Sequence, residues 1–292
     1  MRVLLVGASG FIGQSIAANM PDGVQLTGTY FQNRLTFENT NSEQFNFLNP
    51  DVEWQRIVEQ YDCVIIAARV NADNETKRAD ISRKAKDAFK CFIQAVDEST
   101  SKPFIVAVNG SLSYGHRNDD LVKIGDSIAP TGYARSYAIA EQPFREFLAA
   151  GNEIAIVRAP WVLGPGSWFP MMYLEPNRVP LIGDGKQWMS LVLVDDLAKY
   201  LWDTVTSLKK GIHHPRLTYR CRQKEFATLV HDITSQPIRR LGRIQRLRMD
   251  PQMRESIHAS IKLDDGRGDG SEHQDGKKRL ISAIETIYAS FS

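Results

Sequence analysis

Apolar residues in the first two-thirds of the chain arrive in short consecutive runs. Between the runs lie longer stretches in which apolar residues recur every three or four positions. The runs at residues 2–6, 24–30, 63–67, 104–108 and 154–158 predict strands. Several are apolar on neighbouring rather than alternating residues, as strands buried on both faces are. The helical period predicts helices over residues 11–19, 51–60 and 132–150, and a long one within 75–96. For the second helix, Asn49 is the expected N-cap and Pro50 the first helical residue, ahead of Trp54 and Ile57 on the apolar face. Strand alternating with helix implies βαβ units and a parallel sheet.

After Gly164-Pro165-Gly166 the pattern breaks up. Pro170, Pro176, Pro180 and Gly183-Asp184-Gly185 interrupt it, and aromatic and methionine side chains crowd between them. This predicts a main domain over residues 1–165 and a smaller lobe over 166–292, with elements around 190–210 returning to the main domain. A helix is predicted over 194–208. The polar segment 264–278 reads as a mobile loop, followed by a short amphipathic helix over 279–288.

Composition narrows the function classes. Apolar residues make up 42% and charged residues 24% of the 292, the balance of an ordinary globular protein. A formal charge of +2 argues against nucleic acid or membrane as the main partner. The first apolar run is too short for a signal peptide, and no run spans a bilayer. Cys63, Cys91 and Cys221 stand far apart with no CxxC pair, so they read as reduced thiols. A cytoplasmic location is expected.

The most specific chemistry lies at the amino end. A strand, the segment Gly7-Ala8-Ser9-Gly10-Phe11-Ile12-Gly13 and a helix follow one another there. This order distinguishes a dinucleotide loop from a chance glycine match. Gly7 permits the tight turn, Gly10 lets the backbone approach a pyrophosphate, and Gly13 lets helix and strand pack closely. The helix start then offers N–H groups and partial positive charge to the phosphates. The fold class implied is α/β: a Rossmann-type, doubly wound parallel sheet with helices on both faces and a small C-terminal substrate lobe. The second strand ends Gly28-Thr29-Tyr30-Phe31 without the acid that usually holds the ribose of NAD, and Arg34 follows. That arrangement favours NADP over NAD.

The GxxGxxG spacing resembles the short-chain dehydrogenase/reductase superfamily, in its extended, NAD-dependent epimerase/dehydratase branch. Further segments match in order. Asp62-Cys63-Val64-Ile65-Ile66-Ala67-Ala68 is similar to the strand whose small residues, here Ala67 and Ala68, abut the cofactor. The segment from Asn109 to Ser113-Tyr114-Gly115 resembles the strand end that carries the catalytic Ser or Thr. Tyr133-Ala134-Arg135-Ser136-Tyr137 resembles the YxxxK helix. Arg158-Ala159-Pro160-Trp161-Val162-Leu163-Gly164-Pro165 resembles the loop over the nicotinamide, which implies Pro160, Trp161 and Val162 as cofactor contacts. Gly28-Thr29-Tyr30-Phe31 is also similar to dTDP-4-dehydrorhamnose reductases. The resemblance covers residues 1 to about 235.

Three departures from the family pattern bear on chemistry. In the family a Lys four residues after the Tyr lowers its pKa and holds the nicotinamide ribose, since i and i+4 share a helix face. Here that residue is Tyr137, so Tyr133 is expected near the ordinary phenol value of about 10. It can donate a proton but is a poor base at neutral pH. Arg135, at i+2, points elsewhere. The family's Ser/Thr position falls on Gly110, with Ser111 one residue later. The arginine that clamps diphosphates in nucleotide-sugar enzymes is replaced by Met189, and Lys186 lacks the fork geometry. Trp161, Trp168, Phe169, Trp188 and Met189 read as a packed lobe.

Three remaining features read structurally. The run Arg239, Arg240, Arg243, Arg246 and Arg248 reads as a solvated helix face. His213-His214 lacks metal-ligand spacing and reads as a loop. Asp195-Asp196 reads as the acidic start of a helix. Two functions stay open: an NAD(P)-dependent oxidoreductase or epimerase-like enzyme acting on a carbonyl or sugar-like small molecule, with Tyr133 as proton donor and Ser111 as carbonyl partner, or a non-catalytic dinucleotide-binding sensor or scaffold. Nucleic-acid binding ranks below both, and a homodimer is left open.

Overall fold

A computed structural model describes residues 1–32, 40–69, 72–174, 178–242, 247–267 and 271–291. The chain forms two compact units, each assembled from three separate stretches. The first unit comprises Met1–Asn109, Arg135–Arg158 and Ala198–His213. The second comprises Gly110–Ala134, Ala159–Leu197 and His214–Ser292.

The first unit is built on a seven-stranded sheet. Its strands are β1 (Arg2–Val6), β2 (Gln25–Tyr30), β3 (Thr40–Gln44), β4 (Cys63–Ile66), β5 (Phe104–Gly110), β7 (Ile154–Ala159) and β11 (Gly211–His213). They lie in the order β11-β7-β5-β4-β1-β2-β3, with β1–β2, β2–β3, β1–β4, β4–β5 and β7–β11 all parallel. The chain therefore winds outward from β1 through β2 and β3, then returns to the other side of β1 at β4. The crevice beyond the carboxyl ends of β1 and β4 is the point where open α/β sheets bind ligands. The consecutive apolar runs have the burial they predict: every residue of β4 and β7 is buried, and so is β1 after Arg2.

The helices associated with this sheet are α1 (Phe11–Ala18), α2 (Trp54–Val58), α3 (Glu75–Glu98), α4 (Ala134–Ala149) and α5 (Val194–Thr206). Phe89, Phe92 and Phe144 on α3 and α4 pack with Trp54, Val64 and Ile105 in one core. The indole N–H of Trp202 on α5 donates to the Ile16 carbonyl of α1 at 2.8 Å. Arg158 of β7 and Glu141 of α4, both fully buried, meet in a bidentate ion pair. Its geometry matters because a charge taken out of water needs an equal and well-placed partner.

One sequence expectation needs correction here, and one strand was not foreseen. The helix predicted from Asn49-Pro50 begins only at Trp54, with Glu53 at its cap. The Asn49 side chain instead accepts the Asp51 N–H two residues on, at 3.2 Å, closing a local turn that competes with helix. Strand β3, Thr-Asn-Ser-Glu-Gln, has no apolar signature because it is an exposed edge strand.

The second unit contains a three-stranded sheet, β12 (Tyr219–Arg222), β10 (Trp188–Leu193) and β8 (Trp161–Leu163), in that order. Two small pairs accompany it: β9 (Val179–Leu181) with β13 (Ile238–Arg240), and β6 (Leu121–Val122) with β14 (Lys262–Leu263). Its helices are α6 (Gln223–Thr234), α7 (Pro251–His258) and α8 (Ser271–Phe291). Leu163, Phe169, Met189, Leu191, Phe226, Leu280 and Ile284 form one core. Of the segment 264–278, read from composition as a mobile loop, residues 271–278 belong to a helix. Asp265 accepts the Leu217 N–H at 2.9 Å, and α8 already begins at Ser271. Gly276 lies within that helix. A Cβ on it would lie 1.9 Å from the Thr218 carbonyl oxygen, so the bare helix surface presses directly on that backbone. Among the described residues no helix is long and apolar enough to cross a membrane.

Candidate functional site

The loop from Gly7 to Gly13 joins β1 to α1 at the switch point, and each glycine has its own geometric role. Gly7 sits at φ +91°, where side chains are strained, and a Cβ there would approach the Ala68 Cα to 2.5 Å. A Cβ on Gly13 would lie 2.2 Å from the Gly7 carbonyl oxygen and 2.7 Å from the Ala8 Cα. Gly10 is different: exposed, extended, and with only the Gly7 oxygen at 3.3 Å from a Cβ. Two glycines are thus required by packing, and the third bares the backbone toward open space.

Thr29 of β2 fixes the first half of the loop. Its hydroxyl accepts the Gly7 N–H at 3.1 Å, and its carbonyl accepts the Ala8 N–H at 3.0 Å. Ala8 is fully buried, while Ser9, Phe11 and Ile12 are half-buried around the turn. The first-turn N–H groups of α1 have no intrahelical acceptor, and that turn holds no acid to offset the positive end of the helix dipole. A pyrophosphate fits this donor set. The half-buried Ala67 and Ala68 flank the loop with small side chains. Arg34, the expected NADP contact, lies outside the described residues.

Immediately after Ala68, the guanidinium carbon of the exposed Arg69 stands 5.0 Å from the centre of the Tyr137 ring. The position where the YxxxK pattern has a lysine thus carries an aromatic ring with a cation over its face. Arg135, two residues earlier, pairs with Glu75 at 3.1 Å. A lone exposed arginine in a loop has no periodicity to mark it, so Arg69 carries no sequence signal beyond its place after Ala67-Ala68.

The second unit holds Ser111 and Tyr133. Ser111 is buried and opens a short 3-10 turn, Ser111–Tyr114, with Gly110 as its cap. The Ser113 hydroxyl in the same turn is fully buried with no hydrogen-bond partner among the described residues. Tyr114 ends the turn, its hydroxyl 2.8 Å from His214 Nε2. His214 Nδ1 is 2.6 Å from the Asp264 carbonyl oxygen, so Nδ1 carries a proton and donates to it. Both rings are buried; of the pair read as a loop, His213 instead ends β11, while His214 lies in the loop that follows. Among the described residues no His, Cys, Asp or Glu group could hold a metal ion.

Tyr133 lies just before α4 rather than within it. Gly132 turns the chain at φ +55°, and a Cβ there would meet the Ser256 hydroxyl at 2.1 Å. The Ser256 hydroxyl accepts the Tyr133 N–H at 3.1 Å, and the Glu255 carboxylate accepts the Gly132 N–H at 3.1 Å. Helix α7 therefore takes up the amides of Gly132 and Tyr133, just before α4. Pro160 is buried; Trp161 and Val162 belong to β8, paired with Leu191 and Val192 of β10. Trp161 packs edge-on against Trp168, whose indole donates to the Val162 carbonyl at 2.8 Å.

Met189 is core, as the packing reading expects, but Trp188 is not. Arg222 and Lys262 stand 4.1 and 4.7 Å from its ring centre. Lys186 pairs with Asp184 at 3.5 Å. Asp195 and Asp196 lie in the first turn of α5, where Asp196 also accepts from the Thr218 hydroxyl at 2.9 Å. Of the arginine run, Arg239 and Arg240 lie on β13, an exposed strand rather than a helix face. Arg243 and Arg246 fall outside the described residues.

Comparison with known proteins bears on the fold. Human epimerase family protein SDR39U1 (isoform 2) with NADPH superposes with a TM-score of 0.73 at 17% identity, covering 99% of each chain. UDP-N-acetylglucosamine 4-epimerase from Methanobrevibacter ruminantium, in complex with UDP-N-acetylmuramic acid, gives 0.74 at 18% identity over 100% of this chain and 99% of that one. DesIV, a dTDP-glucose 4,6-dehydratase from Streptomyces venezuelae with NAD and TYD bound, gives 0.66 at 17% over 99% and 98%. At these identities the likeness is one of fold. Uncharacterized protein y4nL of Sinorhizobium fredii (strain NBRC 101917 / NGR234) is 38% identical over 76 residues, 23% of this chain, and the match spans only 21% of that protein. The profile of the NAD dependent epimerase/dehydratase family matches residues 3–217, and the chain belongs to that family.

Proposed function

We propose that the protein is an NAD(P)-dependent oxidoreductase or epimerase-like enzyme acting on a carbonyl or sugar-like small molecule. The observation that carries this is the glycine cradle at the switch point, with Gly7 and Gly13 locked by packing and Gly10 bared. When bound, the nicotinamide supplies two-electron redox chemistry at a substrate carbon. The chain's own part is to position the reactants and to exchange a proton. Tyr133 donates to the substrate oxygen, and the Ser111 hydroxyl polarises the same carbonyl. Pro160, Trp161 and Val162 shape the nicotinamide side.

NADP is the cofactor favoured, because β2 ends at Thr29-Tyr30 with no carboxylate there to hold a ribose diol, and Phe31 and then Arg34 follow. Titration should give tighter binding of NADPH than NADH, with Arg34→Ala narrowing the gap. Equal affinities would overturn the choice. Activity is tested by following NADPH oxidation against a panel of aldehydes, ketones and nucleotide-linked keto sugars. Turnover that survives Tyr133→Phe unchanged removes Tyr133 from the mechanism.

A second reading has its own observation in Tyr137, which stands where the family's lysine stands. On that reading the protein binds the dinucleotide without turning it over, as a sensor or scaffold. Tyr137→Lys then creates no activity on any substrate of the panel, while cofactor binding persists.

A further inference from the structure

The two halves of the phosphate loop are restrained differently. Thr29 holds the first half through the amides of Gly7 and Ala8. The second half has a glycine at the helix cap. Gly10 has no side chain to accept from the first turn of α1, so that turn keeps its N–H groups for a ligand. The same glycine gives up the restraint that a Ser or Asp cap places on the incoming chain. Gln14 makes up for it. Its side-chain Nε2 donates to the Ser9 carbonyl at 2.9 Å, while its backbone N–H donates to the Gly10 carbonyl at 2.8 Å. Ser9 precedes the cap and Gln14 is the fourth helical residue. Apolar side chains at these two positions staple the entry angle of a helix. Here the staple is a hydrogen bond, and it uses none of the first-turn N–H groups. The Ser9–Gly10 peptide is then held at both ends, since the Gly10 N–H donates to the Gly7 carbonyl at 3.1 Å. Without the staple, a peptide next to a glycine is free to rotate and to turn its carbonyl oxygen against phosphate oxygens, which repel it.

We propose that Gln14 is a positioning residue for dinucleotide binding: through the Ser9 carbonyl it holds the loop in the shape that presents the α1 amides to a pyrophosphate. This inference rests on the dinucleotide-binding reading above, so the test is built to separate the two.

NADPH, ADP-ribose and adenosine are titrated by calorimetry against the wild type, Gln14→Met and Gln14→Glu. Met keeps the length and removes the donor; Glu keeps the shape and can only accept. Gln14→Met should weaken NADPH and ADP-ribose alike, about fivefold, the size of one neutral hydrogen bond. Adenosine, which has no pyrophosphate, should stay within about twofold. Gln14→Glu should weaken the first two further, because its carboxylate faces the Ser9 oxygen. Gln14 is exposed, and equal melting temperatures for the variants check that the fold is kept. In the ligand-free protein the Ser9 carbonyl carbon resonance, which follows hydrogen bonding, should shift in Gln14→Met. It should return towards the wild-type position in Gln14→Lys, whose ammonium can again donate. Wild-type affinity for NADPH in Gln14→Met overturns the inference while leaving dinucleotide binding intact. A lost affinity with an unshifted Ser9 resonance overturns it too, by making Gln14 a direct ligand contact. An equal loss for adenosine does the same, by moving the effect away from the pyrophosphate. Failure of the wild type to bind NADPH or ADP-ribose removes the cofactor reading itself, and the inference with it.

Discussion

Replacing Gly13 by alanine tests the phosphate loop most sharply, because the consequence can be worked from distances. The new methyl would start 2.2 Å from the Gly7 carbonyl oxygen, with the Ala8 Cα at 2.7 Å and its carbonyl carbon at 2.9 Å. A carbon and an oxygen ordinarily come no closer than about 3.3 Å, so loop and helix must part by about 1 Å. All three obstacles are backbone, and none can swing aside. Overpacking of this kind costs about 1–3 kcal/mol, partly offset by about 1 kcal/mol of helix propensity gained on replacing glycine. The same 1 Å matters more to a ligand. An amide moved from about 2.9 to about 3.9 Å from a phosphate oxygen no longer makes a hydrogen bond. Losing one or two charge-assisted bonds gives about 3 kcal/mol, or roughly a hundredfold in Kd. Gly10→Ala is the control. Its methyl meets only the Gly7 oxygen at 3.3 Å, so stability should change by under about 0.5 kcal/mol while dinucleotide affinity still falls. Urea denaturation and fluorescence titration with NADPH read the two effects separately. Wild-type stability and wild-type affinity together in Gly13→Ala would refute the packing argument.

Three further perturbations follow from the packing. Glu141→Gln leaves the fully buried Arg158 without its counter-charge and should cost about 3–5 kcal/mol in urea denaturation; a Glu141→Leu, Arg158→Met double variant should recover most of that loss, and a double variant as unstable as the single one speaks against the argument. Asp62 accepts the Arg2 N–H at 2.7 Å and its guanidinium at 3.1 Å, and these bonds hold its carboxyl below the usual range. Its contribution is therefore present above the unfolded value of about 3.9 and is lost as pH falls through the lower folded value. The deficit of Asp62→Asn, at most about 1 kcal/mol for so exposed a pair, should be constant from pH 6 to 8 and vanish near pH 2, and a deficit that persists there would count against the carboxylate as its cause. Gly276→Ala drives a methyl to within 1.9 Å of the Thr218 oxygen, so hydrogen exchange should show α8 opening more readily than in the wild type; unchanged protection would mean that the helix does not press on that backbone.

The parts legible in the sequence were those where one physical demand fixes the residue type. Strands buried on both faces need consecutive apolar side chains, so β1, β4 and β7 stand out. Gly7 and Gly13 stand where no Cβ fits, so the loop is legible from three letters. Strand β3 was not legible, because an edge strand can be wholly polar. The start of α2 was misleading because Asn49 closes a turn as readily as it caps a helix. The segment 264–278 has the composition of a loop, yet Gly276 is there because a backbone presses on it. At the candidate site the missing lysine was plain, but the cation over Tyr137 comes from Arg69, far away in sequence. No local pattern encodes a contact of that kind.

Tyr133 is seated by residues that lie outside the family segment. The family match ends at residue 217, yet the amides of Gly132 and Tyr133 are held by Glu255 and Ser256 of α7. Ser256 also donates to the Gln252 carbonyl at 2.7 Å, so its hydroxyl is fixed before it accepts from Tyr133. The cap Asp250 in turn accepts the N–H groups of Gln252 and Met253, which fixes the start of the helix. A chain of local bonds thus runs from Asp250 to the backbone of the motif tyrosine. Gly132 must be glycine because that helix comes so close. The residues that set the tyrosine's position therefore lie beyond the segment that identifies the family. For this chain the seat of Tyr133 is thus described only when residues beyond 217 are included.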